Sequence, residues 1–154
     1  MARCGTAWTG IARLGMERQG KEIMITFFVP GNPQALKRHR STKRGIMYDP
    51  SKNDKADFLA MCMANRPEEP LTCALEVDII FNMARPKKHY RTNGQVKDRY
   101  KEARHTIKPD RDNLVKFVHD ALEGVFWKND SQIDAGTTVK RYSEKPGVSI
   151  TIHI

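Results

Sequence analysis

The sequence predicts an α+β protein, a two-layer sandwich in which two helices cover one face of a mixed four-stranded sheet, in the order β-α-β-α-β-β. Two patterns predict this class. From Leu71 to Met83, large apolar residues occupy nearly every second position, which is typical of a strand with one buried face. From Leu114 to Val125, apolar residues recur three or four positions apart, as in an amphipathic helix. We assign residues 23–154 to one domain and residues 1–22, which show neither period, to a flexible N-terminal extension.

The first half of the domain contributes one strand and one helix before the long strand. Residues 23–29 (IMITFFV) predict a strand that ends at the turn formed by residues 30–33. The sequence Asp49-Pro50-Ser51 can open a helix that continues to about Asn65. The apolar face of this helix is predicted to consist of Phe58, Leu59, Met61 and Cys62.

The second half begins with the clearest helix of the chain, over residues 112–123. Asp112 suits its N-cap and Gly124 suits its C-terminal stop. Two strands are predicted to follow, over residues 133–142 and 147–154.

Positive charge is concentrated in two tracts. The chain has 27 Lys+Arg against 18 Asp+Glu, a net charge of +9. Residues 37–44 hold five Lys/Arg and no acid, and residues 85–108 hold nine against two acids. Tracts of one sign indicate an anionic partner, here a nucleic acid, although either tract alone could be a solvated loop. The candidate contacts to its backbone are Lys37, Arg38, Arg40, Lys43, Arg44, Arg85, Lys87 and Lys88.

Membrane and secreted classes are not favoured. No apolar run approaches the ~18 residues of a membrane span, and residues 1–22 lack the apolar core of a secretory signal. Cys4, Cys62 and Cys73 are odd in number and show no CxxC spacing, so we expect inert thiols in a reducing cytoplasm.

Acidic residues gather near the last predicted helix, at Asp110, Asp112 and Asp130, together with Lys116. The helix would advance about 18 Å from Asp112 to Gly124 at ~1.5 Å per residue. Six extended residues would return about 20 Å, so an antiparallel return would bring Asp130 level with the helix start. Three carboxylates at one point need a compensating charge, and their oxygens suit Mg²⁺, with Mn²⁺ as a second option.

An ordinary structural interpretation remains open from spacing alone. An acid near a helix start is commonly a cap, and Asp112 and Lys116 form an ordinary i,i+4 pair. Asp120 is expected to be a solvated acid or an orienting partner of Lys116.

Four segments together carry a family resemblance: VPGNPQALKRHR, KPDRDNLVK, DALEG and KNDSQI. They resemble the RusA family of Holliday-junction resolvases, over about Ile23 to Ile154. One departure is visible, because the pair usually written Asp-Asp before x-Gln is Asn129-Asp130 here.

The resemblance implies a homodimeric, magnesium-dependent endonuclease that binds four-way DNA junctions and nicks two opposing strands. It implies that Asp110, Asp112 and Asp130 hold the metal and that Lys116 is the essential lysine. We expect no nucleotide cofactor. A nuclease for flaps or other branched DNA is one alternative. A non-catalytic protein that binds branched or single-stranded DNA, with Tyr90 and Tyr100 stacking on bases, is another.

Overall fold

Apolar strands and helices with one apolar face assemble into two layers. The computed structural model describes residues 16–19 and 22–154. The strands are β1 (Met16–Gln19), β2 (Glu22–Pro30), β3 (Arg40–Ser41), β4 (Met47–Tyr48), β5 (Leu75–Ala84), β6 (Ile133–Ala135), β7 (Thr138–Ser143) and β8 (Gly147–His153). The helices are α1 (Lys52–Cys62), α2 (Asp98–Lys101) and α3 (Arg111–Leu122), with 3₁₀ turns at Met63–Asn65, Lys87–His89 and Asp130–Gln132.

The main sheet is mixed and is ordered β1-β2-β8-β5, with β6 and β7 both pairing with the free side of β5. Neighbouring strands within β1-β2-β8-β5 are antiparallel, whereas β5 is parallel to β6 and β7. Its register places apolar residues side by side, because Ile25 lies opposite Ile152 and Ile152 lies opposite Val77. One face of the sheet is therefore continuously apolar.

The helices α1 and α3 contribute to one core with that apolar face. From α1 come Phe58 and Cys62, and α3 contributes five buried residues. The opposite face carries polar groups, among them Thr26, whose hydroxyl donates to that of Thr151. The predicted α+β two-layer sandwich is confirmed.

The prediction of a four-stranded sheet is wrong, because the main sheet has six strands, and individual elements also differ from the prediction. Strand β1 adds a neighbour to β2 inside the stretch assigned to the extension, and the rest of that assignment (residues 1–15, 20 and 21) lies outside the described residues. The strand predicted over 133–142 is divided at Gly136, where the backbone has φ +150°. In α1, Met61 is half exposed rather than part of the buried face.

The cysteines are not alike. Cys62 is fully buried, and burial raises the pKa of its thiol to about 12, so it is an inert thiol as expected. Cys73 is disulfide-bonded, so the expectation of a thiol is wrong for this residue. In the described part of the chain, no helix has both the length and the apolar character needed to cross a membrane.

Gly136 tests the division between β6 and β7. A Cβ at this position would lie 2.0 Å from the carbonyl oxygen of Val77, and the positive φ adds strain. We expect Gly136→Ala to lower the free energy of unfolding by about 3 kcal/mol, measured by urea denaturation. The control is Gly94→Ala, which also has positive φ but open space and should cost about 1 kcal/mol. Equal losses in the two variants would contradict this packing.

Candidate active site

Helix α3 presents a buried apolar side and an exposed charged side. Leu114, Phe117 and Leu122 are at most 1% exposed. Asp112 and Lys116 lie one turn apart on the solvent side, with 72% and 63% of their side chains exposed. The Lys116 Nζ is 3.9 Å from the Asp112 carboxylate, a separation at which an exposed ion pair contributes little to stability.

The N-cap of α3 is Asp110, not Asp112 as predicted. The backbone of Asp110 is extended (φ −71°, ψ 142°) and its carbonyl accepts from the N–H of Leu114. Its side chain makes no capping hydrogen bond. Because the Asp110 carboxylate accepts no hydrogen bond from the backbone N–H groups at the start of the helix, it can bind another ligand.

The loop before α3 is held by contacts from distant parts of the chain. Lys140 on β7 donates to the carbonyls of Ile107 and Pro109, at 2.7 and 2.8 Å. On the other side of the helix start, the N–H of Leu36 donates to the carbonyl of Asn113 at 3.0 Å. These contacts position Asp110 and Asp112 in one exposed turn.

Asp130 lies elsewhere, beside the last turns of α3. Its carboxylate accepts from the indole N–H of Trp127 at 2.8 Å, and its backbone N–H donates to the carboxylate of Glu123 at 3.3 Å. The ring of Trp127 packs edge-on against that of His119. Within the described ranges, no group of three or more His, Cys, Asp or Glu residues is placed to hold a metal ion. The expected meeting of Asp110, Asp112 and Asp130 is therefore absent from this conformation.

The loop that carries Asp130 is built by its neighbours in the KNDSQI segment. Asn129 and Gln132 form a reciprocal capping box around the 3₁₀ turn. The Gln132 amide also donates to the carbonyls of Leu71 and Cys73, at 2.8 and 2.9 Å. Gln132 therefore stabilises this loop. Its place in the KNDSQI segment is visible in the sequence, but its hydrogen bonds to distant carbonyls are not. Asn129 performs the cap that an aspartate would also perform, so the departure from the family pattern is locally neutral.

Asp120 is exposed, as one of its two interpretations predicted, and the lysine near it is Lys55 rather than Lys116. Its carboxylate is 3.7 Å from Lys55 on α1, and Lys55 also pairs with Asp49. Asp120 therefore joins the two helices and does not orient Lys116.

The eight predicted DNA contacts divide into two groups. Lys37 is ion-paired with Asp54 at 2.7 Å, and Arg85 donates to the carbonyls of Tyr100 and Lys101. Both cations therefore have a partner within the protein, and their contact to DNA stays a prediction. The other six are exposed, and their side chains have no ion pair or hydrogen bond to the described residues: Arg38, Arg40, Lys43, Arg44, Lys87 and Lys88.

A basic cleft beside the α3 start was missed. It has a volume of about 300 Å³ and is lined by Arg104, Arg111 and Lys140 with two threonines, and no acid is among its described lining residues. Arg104 belongs to the second basic tract, and Arg111 occupies the variable position of the D-x-D-N motif. Lys140 had no sequence signal, because its neighbours come from 31 and 33 positions away.

Three histidines near these elements favour the neutral form. Burial lowers the pKa of His89, and the nearby charge of Arg85 lowers it further. Burial and then Lys140 lower the pKa of His105. For His119, burial lowers the pKa while Asp130 and Asp120 oppose the shift.

The chain is similar to a known protein family and to a bacterial protein. The family model for endodeoxyribonuclease RusA matches residues 30–153. A relative from Bacillus subtilis (strain 168), the uncharacterized protein YqaN, is 35% identical over 136 residues, which cover 83% of this chain and 94% of the relative.

The hydrogen bonds of Gln132 lead to a stability prediction. Gln132→Ala removes two donors from carbonyls and one acceptor from the N–H of Asn129, so the free energy of unfolding should fall by about 2 kcal/mol. Gln95→Ala, at an exposed position, should change it by less than about 0.5 kcal/mol. Chemical denaturation of both variants checks the difference, and a Gln132 loss no larger than that of Gln95 would contradict it.

The histidines lead to a pH prediction. His89 and His105 have folded-state pKa values below the ordinary 6.5, so the unfolded chain binds more protons as the pH falls below that value. The free energy of unfolding should therefore fall as the pH drops below about 6.5. Urea midpoints at about pH 7.5 and 5.5 measure the loss.

A substitution separates this effect from general acid destabilisation. His105→Phe should make the decline shallower, because one of the two buried groups no longer titrates. His39→Gln, at an exposed position, should leave the decline unchanged. An identical decline in the His105 variant would show that its titration is not linked to folding.

Proposed function

This chain belongs to the RusA family of endodeoxyribonucleases, and we propose that it resolves Holliday junctions by metal-dependent hydrolysis of phosphodiester bonds in two opposing strands. The observation that carries the proposal is the exposed first turn of α3. There Asp110 and Asp112 have exposed carboxylates beside a cleft that is lined by cations. We place this activity in the cytoplasm.

The donor chemistry of that turn fits a hard divalent cation. Carboxylate oxygens suit Mg²⁺, which we propose as the physiological ion, and Mn²⁺ should substitute for it. Mg²⁺ is commonly held by one or two carboxylates together with water and substrate phosphates, so Asp110 and Asp112 are sufficient protein ligands. A bound cation would lower the pKa of a water molecule and stabilise charge on the phosphate.

Asp130 stands apart from this pair. Its position in the motif makes it the third candidate acid, but its carboxylate is occupied by the indole N–H of Trp127. We propose that Asp130 contributes to cleavage only when this hydrogen bond opens. To join the other two acids, its loop, which Gln132 holds, would also have to move toward the start of α3.

Lys116 is the proposed phosphate contact nearest to the acids. Its exposed ammonium group lies one turn from Asp112 and is not fixed by a close ion pair. A cation at this place can bind the scissile phosphate and offset the negative charge that develops during cleavage.

The remaining exposed cations would hold the DNA without reading its sequence. The cleft cations Arg104 and Arg111 would bind phosphates next to the cleaved bond, while Lys87 and Lys88 would bind a more distant part of the strand. Contacts of this kind make affinity fall with increasing salt.

A homodimer would suit the symmetry of the substrate. Opposing strands of a four-way junction are equivalent, so two copies related by a two-fold axis could each nick one strand. We propose this assembly as the active form.

The test uses a labelled four-way junction with Mg²⁺. Asp112→Asn should reduce the nicking rate at least about a hundredfold, because a charged ligand becomes neutral, while binding to the junction is retained. Asp134→Asn changes an exposed acid outside the turn and should nick at the wild-type rate. Denaturing gels give the rates and gel shifts give the binding.

Three results would overturn parts of the proposal. Wild-type cleavage by Asp112→Asn would remove the site assignment. Faster cleavage of flaps than of junctions would replace the substrate. Junction binding by the wild type without any cleavage in Mg²⁺ or Mn²⁺ would favour the non-catalytic alternative.

A further inference from the structure

Residues 38–48, here called the basic hairpin, protrude from the protein apart from the main sheet. Strands β3 and β4 pair only with each other, with Arg40 opposite Tyr48 and Ser41 opposite Met47. The connecting turn is closed by the N–H of Thr42, which donates to the carbonyl of Ile46, and Gly45 provides its positive φ of 78°. All residues of the hairpin are exposed.

The returning side of the hairpin, from the last residue of the turn through β4, exposes three consecutive large apolar residues. Ile46, Met47 and Tyr48 are 62%, 67% and 46% exposed. Single exposed apolar residues are ordinary on protein surfaces, whereas a contiguous group on a protruding element indicates a partner that covers it.

The charge of the hairpin indicates the chemistry of that partner. Arg38, Arg40, Lys43 and Arg44 lie within it, and it contains no acid. The side chains of these four cations form no ion pair with the described residues. A partner must therefore offer negative charge and apolar surface within a few ångströms of each other, as nucleic acid does through its phosphates and the faces of unstacked bases.

The base of the hairpin is fixed next to the candidate active site. The N–H of Lys37 donates to the hydroxyl of Ser51, which is fully buried, and the Lys37 ammonium pairs with Asp54. One residue earlier, the N–H of Leu36 donates to the carbonyl of Asn113 in the first turn of α3. The hairpin thus starts from the turn that carries Asp112.

We propose that the basic hairpin is a wedge that inserts Ile46 and Met47 between bases at the branch point of the DNA, with Tyr48 stacking on an exposed base. This inference rests on the proposed function, since it assigns a role toward the same substrate. Apolar side chains that enter a base step separate the bases, and the cost is smallest where stacking is already interrupted. The hairpin cations bind the phosphates on either side of the opened step.

The experiment measures base unstacking without cleavage. Wild-type protein is titrated in EDTA onto a four-way junction with 2-aminopurine at the branch point, and onto a duplex of the same sequence. The wedge predicts a rise in 2-aminopurine fluorescence at saturation on the junction. The double variant Ile46→Ser, Met47→Ser should lose more than half of that rise and bind about tenfold more weakly.

Two further variants serve as controls. Met61→Ser alters a half-exposed methionine on α1, away from the hairpin, and should behave as the wild type. Lys43→Ala with Arg44→Ala should weaken binding and its salt dependence yet keep the fluorescence rise at saturation. Thermal melting confirms that each variant is folded.

The possible failures are distinguishable. A wild type without preference for junction over duplex would reject the proposed function itself. A wild type that prefers the junction but causes no fluorescence rise, or a double variant with the full rise, would reject only the wedge. A double variant that becomes monomeric in size-exclusion chromatography, while the wild type is dimeric, would assign the apolar residues to the contact between copies and also reject the wedge.

Discussion

The burial of one side of α3 is the constraint on which the placement of the charged groups depends. Leu114, Phe117, Val118 and Leu122 lie in the core shared with the sheet, and each contributes about 1.5–3 kcal/mol by leaving water. The helix cannot rotate about its axis without exposing them. Asp112 and Lys116 are therefore held on the solvent side, and the loop that Lys140 fixes brings Asp110 next to them.

Much of the fold could be predicted, because long elements with one buried face leave a period in the sequence. This is so for β5 and α3, while pairings such as β1 with β2 or β3 with β4 are too short to show one.

The site was harder to predict. The return of Asp130 toward the helix start assumed an extended chain after Gly124, but the N–H of Gly124 donates to the carbonyl of Trp127 in a tight turn. That turn consumes the length, so Asp130 remains near the end of the helix.

The different roles of the cations also could not be predicted from the sequence. Arg85 and Lys140 bind backbone carbonyls, whereas Arg104 and Arg111 line an open cleft. Nothing in the local sequence separates these roles, since the carbonyls come from residues at least 15 positions away. Among the unpaired cations are those of the basic hairpin, Arg104 and Arg111 of the basic cleft, and Lys87 with Lys88. The hairpin and the cleft both adjoin the first turn of α3, which carries the exposed carboxylates of Asp110 and Asp112.

The assignment of Asp110 and Asp112 as metal ligands is tested most directly in crystals of the protein with a four-way junction and Mn²⁺. Anomalous scattering locates the bound cation. If Asp110 and Asp112 hold the metal, a manganese ion lies within about 2.5 Å of carboxylate oxygens from both residues, with a DNA phosphate and water among its remaining ligands. A manganese ion bound instead between Glu123 and Asp130, with neither Asp110 nor Asp112 as a ligand, would contradict it.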